Sequence, residues 1–140
     1  MNRFVRYLMP IAAAATLIGC NVKQSLDDAA AAISVFHADL DAGNFDAIWN
    51  DAGPQMHKAA KKEQLVGLLA AVHRKLGKVK DSKQVGWNSN ATTSGMFTTV
   101  TMETTFEKGK GTEQFVYAKG EDDRLALVGY NIQSQQMMLN

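Results

Sequence analysis

The sequence predicts an α+β domain in which three N-terminal helices pack on a curved, mainly antiparallel four-stranded sheet. Apolar residues recur every three or four positions up to Gly77, which is the period of a helix. They alternate with polar residues after Met96, as in a half-buried strand. Helices followed by sequential strands with short connections are typical of the α+β class. At 140 residues, 46% of them hydrophobic, the chain has the length and composition of one such domain.

The first predicted helix begins after Ser25, a suitable N-cap, and ends at Gly43. Its apolar face is formed by Leu26, Ala30, Ile33, Phe36, His37 and Leu40. A short second helix begins at Asn44 and is broken by Gly53-Pro54. The third helix is expected from about Lys61 to Leu76, because its leucines form one continuous stripe before Gly77.

Four strands are expected in the second half, at 78–87, 96–106, 112–119 and 125–132. The first is polar and weakly patterned, which favours an edge strand, and a turn-rich loop is expected at 88–95. The second has the clearest alternation. It places Met96, Val100, Met102 and Phe106 on one face.

The N-terminus has the features of an export signal. Arg3 and Arg6 precede an apolar run from Leu8 to Ile18, which is too short to span a membrane. The run ends in Leu17-Ile18-Gly19-Cys20, which resembles the lipobox of bacterial lipoproteins. This resemblance implies that residues 1–19 are a lipoprotein signal peptide. Residues 20–25 would then be the lipidated N-terminus and a short linker.

The lipobox resemblance implies that Cys20, the only cysteine, carries acyl chains that attach the protein to the cell membrane. The folded part would face the periplasm. Asn21 follows Cys20, where an Asp tends to retain lipoproteins in the inner membrane of enterobacteria, so the outer membrane is slightly favoured.

Two further segments resemble a known fold. Residues 40–49 read LDAGNFDAIW and residues 125–132 read LALVGYNI. They are similar to the first helical turn and the closing strand of the nuclear-transport-factor-2-like, or cystatin-like, cone fold, which includes small exported bacterial families of unknown function. The resemblance implies a cone-shaped domain at 26–133, with residues 134–140 as a tail. It also implies a pocket between the helices and the curved sheet.

Candidate pocket-lining residues are Phe36, His37, Trp49, Tyr117 and Tyr130. An enzyme would need a positioned acid or base in that pocket, and no acid–base pair stands out in the sequence. His57 and His73 lie 16 positions apart and match no metal-ligand spacing, so neither a metal nor a cofactor is expected. We therefore expect a non-catalytic module that binds a small apolar ligand or an envelope protein. The alternative is a small pocket enzyme of the isomerase or hydratase type, which a buried carboxylate or histidine beside a tyrosine, with a cavity of several hundred Å3, would favour.

Charge gives two further expectations. The net charge of +1 argues against nucleic-acid binding. A local basic group is either a solvated face or a contact with an anionic surface near the anchor. It comprises Lys58, Lys61, Lys62, Arg74 and Lys75.

The second strand also bears on oligomerisation. Its second face is rich in threonine and is not apolar, so we expect a monomer or a weak dimer.

Overall fold

The computed structural model describes residues 17–120 and 122–139, with side chains from residue 22 onward. Within this part, four helices precede a four-stranded antiparallel sheet and a fifth helix follows it. The elements are α1 Leu17–Ala42, α2 Phe45–Asp51, α3 Pro54–Ala59, α4 Lys62–Leu76, β1 Val79–Thr92, β2 Gly95–Phe106, β3 Gly109–Lys119, β4 Leu125–Gln133 and α5 Gln135–Met138. Each strand pairs with its neighbour in the order β1-β2-β3-β4, and the sheet does not close. The α+β class is confirmed.

The expected number of N-terminal helices is wrong, because α3 follows the break at Gly53-Pro54. Proline is well accommodated in a first helical turn, where the amide hydrogen that it lacks has no intrahelical partner. The backbone amide of Gly53 donates to the carbonyl of Leu127 at 2.8 Å, which attaches this connection to β4. The predicted second helix corresponds to α2, and the predicted third corresponds to α4.

The predicted N-cap at Ser25 is also wrong, since α1 begins at Leu17 and passes through Ser25. No glycine or proline lies between Gly19 and Gly43, and much of this stretch consists of good helix formers, so nothing in the local sequence interrupts the helix. Gly43 lies just beyond the end of α1 with a φ of +76°, as expected for a glycine stop. Residues 1–16 of the predicted signal peptide and the side chain of Cys20 lie outside the described residues.

The turn-rich loop expected at 88–95 is mostly strand. β1 pairs with β2 as far as Thr92, and only Thr93 and Ser94 connect the two strands. Backbone pairing depends little on side-chain polarity at an exposed edge, which is why a polar sequence continues the strand. Three large apolar side chains of this hairpin are exposed, Val85 by 54%, Trp87 by 47% and Met96 by 48%.

The core lies between the helices and one face of the sheet. On β2, the even-numbered positions face it, so Val100, Met102 and Phe106 are buried as their alternation predicts. The buried side chains of α1 and α4 cover this face, among them Phe36, Leu40, Leu69, Val72 and Leu76. Two threonines of β2, Thr98 and Thr104, are also buried there.

Replacing Gly77 by alanine should destabilise the domain. Gly77 ends α4 with φ +77° and ψ −158°, a backbone region that is almost restricted to glycine. A Cβ atom there would also lie 3.0 Å from Cβ of Glu107. We expect Gly77→Ala to lower the free energy of unfolding by about 1–3 kcal/mol in urea titrations.

Gly67→Ala is the matched control, because Gly67 lies inside α4 and its added Cβ would meet nothing within 4 Å. This change should stabilise the domain by about 0.5–1 kcal/mol. Equal effects of the two substitutions would contradict the conformational explanation.

Candidate functional site

A glutamate with no exposed surface lies at the centre of the domain. Glu113, on β3, is 0% exposed, which is rare for a charged residue unless its carboxylate is paired. The Thr104 hydroxyl donates to its Oε2 at 2.6 Å, and the Tyr130 hydroxyl donates to its Oε1 at 2.7 Å. Nε2 of His37 lies 2.7 Å from Oε2. Both carboxyl oxygens therefore have close partners.

These partners come from different elements. His37 is on α1, Thr104 on β2 and Tyr130 on β4, so Glu113 joins the helix to three neighbouring strands. Ser82 on β1 extends the line, since its hydroxyl lies 2.8 Å from that of Thr104. We call these five residues the Glu113 cluster.

The strand register explains how the cluster assembles. Thr104 pairs with Gly111, two positions before Glu113, and Tyr130 pairs with Phe115, two positions after it. Residues that are diagonal across antiparallel strands share a face and lie within reach of long side chains. The cluster therefore forms a polar line that crosses all four strands on the face covered by helices.

Aromatic rings surround this polar line. The Phe36 ring centroid is 4.9 Å from that of Phe115 and 4.8 Å from that of Tyr130. His37 packs at 5.8 Å from Phe115. Three of the candidate pocket residues, Phe36, His37 and Tyr130, are thus packed together in the core around Glu113.

Burial raises the pKa of Tyr130 well above its ordinary value, and the charge of Glu113 and the hydrogen bond to it act in the same direction. Burial followed by the charge of Glu113 also raises the pKa of Tyr117. Both phenols consequently remain protonated at neutral pH. Tyr130 can then act as a hydrogen-bond donor to the carboxylate.

The domain should lose stability at alkaline pH. Above a pH of about 10, tyrosines of the unfolded chain release protons that Tyr117 and Tyr130 retain in the folded state. The unfolded state then binds fewer protons, so the free energy of unfolding falls by about 1.4 kcal/mol per pH unit for each tyrosine. Below about pH 10 this contribution is fully present. Urea titrations between pH 9 and 11.5 measure the slope.

The control for this prediction is Tyr117→Phe/Tyr130→Phe, which should remove the part of the slope due to these two residues. A double variant with the wild-type slope would show that the alkaline loss has another origin.

The other two pocket candidates are in different surroundings. Tyr117 and Phe36 line a cleft of about 80 Å3 between α1, α2 and the β3–β4 end of the sheet; we call it the Tyr117 cleft. Trp49 lies apart from it, with its ring centroid 4.4 Å from that of His57. The Trp49 carbonyl accepts a hydrogen bond from Nε2 of His57 at 2.8 Å.

The basic candidates are divided between the two ends of α4. Lys58, Lys61 and Lys62 lie near its start, and Arg74 and Lys75 lie in its last turn, about 20 Å away. Lys62 forms an ion pair with Asp46 at 3.2 Å. The Lys75 ammonium donates to the carbonyls of Met137 and Leu139, at the end of α5.

Residues 17–120 and 122–139 contain no group of three or more His, Cys, Asp or Glu side chains arranged to hold a metal ion. No helix within the same ranges is both long enough and apolar enough to cross a membrane.

Three members of the cluster, Glu113, Thr104 and Ser82, were not among the site residues predicted from the sequence. A signal existed, because Glu113, Phe115 and Tyr117 alternate along one predicted strand and their side chains therefore share a face. If those aromatic residues face the core, the glutamate must face it too.

The fold and site define a small α+β domain in which a buried carboxyl cluster joins the first helix to the sheet. A family model described as Protein of unknown function (DUF4019) matches residues 31–130, and the chain belongs to this family. The matched span includes all five members of the Glu113 cluster. Comparisons with curated proteins and with solved structures found no match. The nuclear-transport-factor-2-like resemblance stays a prediction.

Proposed function

We propose that this protein is an acylated lipoprotein of the cell envelope whose domain is a non-catalytic binding or interaction module facing the periplasm. The observation that carries the non-catalytic part is the enclosure of Glu113. A general acid or base must come within hydrogen-bond distance of its substrate. Glu113 is 0% exposed, and both of its oxygens are engaged by side chains of the domain.

The state of the surrounding core supports the same proposal. Phenylalanine and tyrosine rings occupy the space next to Glu113, and the Tyr117 cleft measures only about 80 Å3. Sites for drug-sized ligands usually measure about 300–1,000 Å3, so this cleft is too small for a substrate of that size. The neighbouring cleft of about 710 Å3 is lined by no member of the Glu113 cluster. The Glu113 cluster is therefore assigned to holding α1 on the sheet.

Membrane attachment rests on the segment Leu17-Ile18-Gly19-Cys20. One acyl chain gives only marginal anchoring, whereas the two or three chains carried by one lipoprotein cysteine make desorption negligible. Because α1 includes Cys20 and continues into the core, the anchor and the domain share one helix in the described chain. We propose attachment from the periplasmic side, with the outer membrane slightly favoured because Asn21, rather than an Asp, follows Cys20.

Cys20→Ala should leave the precursor uncleaved and without lipid. Metabolic labelling with a radioactive fatty acid, followed by gel electrophoresis, measures both properties. Ser25→Ala is the control, since Ser25 lies five residues further along α1 and should not affect acylation or cleavage. Label that persists on the Cys20→Ala protein would refute the lipoprotein assignment.

The alternative, a small pocket enzyme of the isomerase or hydratase type, has one observation in its favour. Glu113, His37 and Tyr130 bring a carboxyl, an imidazole and a phenol within hydrogen-bond distance. Native mass spectrometry of the protein purified from its own envelope separates the two functions. A bound small molecule that the protein converts to product would favour the enzyme, and a stoichiometric protein partner would favour the module.

A further inference from the structure

The Tyr117 cleft combines an apolar wall with two acidic side chains. Val35, Ile48 and Leu125 contribute to the wall, and Asp39 and Asp51 also line the cleft. Val35 is 58% exposed, so part of this apolar surface is open to solvent. No member of the Glu113 cluster lines the cleft, so its two carboxylates are separate from that of Glu113.

The hydroxyl of Tyr117 is the unusual group of this cleft. Its side chain is 3% exposed, yet no residue in the described part of the chain hydrogen-bonds to the hydroxyl. The oxygen is not fully enclosed, and the Tyr117 side chain lines the cleft. A hydroxyl on a ring that is otherwise buried, and that no side chain of the described residues engages, can donate to or accept from a molecule in the cleft. A ligand there would exchange with water at this oxygen.

The two carboxylates indicate the charge of that ligand. Among the described residues, neither Asp39 nor Asp51 forms an ion pair, whereas Asp46 is paired with Lys62. A larger neighbouring cleft shares Asp51 and is also mainly acidic. Its other charged residues are Asp28, Asp122, Asp123 and Arg124. Clefts lined by one sign of charge concentrate ligands of the opposite sign.

We infer that the Tyr117 cleft binds a primary ammonium group on a short apolar stem, the chemistry of a small aliphatic or aromatic amine. The stem would contact Val35, Ile48 and Leu125, while the ammonium would approach the carboxylates and the Tyr117 hydroxyl. A volume of about 80 Å3 limits the stem to a few carbon atoms. This inference rests on the proposed function, because it names the ligand class of the binding module.

The test uses n-butylamine, with n-butanol and butyrate as probes that share the stem but differ in charge. The full chain, in non-ionic detergent near neutral pH, is titrated and followed by backbone amide chemical shifts in NMR. Butylamine should shift amides of residues 32–39 and 125–127, with a dissociation constant of about 1–10 mM. Butylamine should bind about tenfold more tightly than butanol, and butyrate should not bind. Added salt should weaken the binding of butylamine but not that of butanol.

Asp39→Asn and Asp51→Asn remove one charge each with little change in size, and each should weaken butylamine binding about threefold or more. Tyr117→Phe should also weaken it. Asp81→Asn is the control, because Asp81 is exposed on β1 and does not line the cleft. Equal binding of amine and alcohol, unchanged binding in both aspartate variants, or shifts confined to another region would each overturn the inference. Failure of amine binding would leave the lipoprotein proposal intact as long as Cys20 is acylated. Failure of acylation would in turn leave the measured amine binding unchanged.

Discussion

Glu113→Ala is expected to lower the free energy of unfolding by about 3–5 kcal/mol. The substitution removes the carboxylate and leaves Thr104, Tyr130 and His37 without the acceptor that they share. Each of these polar groups is then buried without a hydrogen-bond partner, which destabilises the folded state. Urea titrations measure the total loss. Because His37 is on α1, hydrogen exchange of α1 amides should accelerate more than exchange in α4.

Two further variants make this prediction specific. Glu113→Gln retains the volume but loses the charge and one acceptor, so it should cost about 1–3 kcal/mol. Glu103→Ala is the matched control, since Glu103 is exposed on the outer face of β2 and should change stability by no more than about 0.5 kcal/mol. If Glu113→Ala cost as little as Glu103→Ala, the cluster would not be what holds α1 to the sheet.

Phe115→Ala is expected to cost about 3–5 kcal/mol. Phe115 is 0% exposed and has the rings of Phe36, His37 and Tyr130 within 6 Å between centroids. Truncation removes buried apolar surface and leaves a cavity next to the Glu113 cluster, and neighbouring side chains collapse into such cavities only in part. The expected result is a lower urea midpoint with an unchanged denaturant slope.

Phe97→Ala is the comparison for this second prediction. Phe97 lies on β2 at an odd-numbered, outward-facing position and is only half-buried. Its truncation should lower the free energy of unfolding by about 1 kcal/mol, because folding buries less apolar surface at Phe97 than at Phe115. Similar losses for the two phenylalanines would show that the aromatic packing around Phe115 contributes little beyond ordinary burial.

The sequence predicted correctly those elements in which the spacing of apolar residues and the residues at the ends indicate the same helix or strand. α4 has a leucine stripe and a glycine stop at Gly77, and the structure has both. β2 alternates, and the structure buries Val100, Met102 and Phe106 of the expected face, whereas Met96 near the start of the strand is exposed. α3 was missed because Gly53-Pro54 indicates a break equally well before a loop or before a new helix. The full length of β1 was missed because backbone hydrogen bonds with β2 stabilise it, and its own polar sequence has no alternating pattern.

The sequence by itself determined the α+β class, the positions of α2, α4 and β2, and the lipobox on which the proposed anchoring rests. Only the tertiary structure decided that Glu113, His37, Thr104 and Tyr130 meet, and that Tyr117 faces a cleft with Asp39 and Asp51. His37 and Glu113 are 76 positions apart. Their contact depends on strand register and on how α1 lies across the sheet. Both are set by packing of the whole core, and neither leaves a periodic signal in the local sequence.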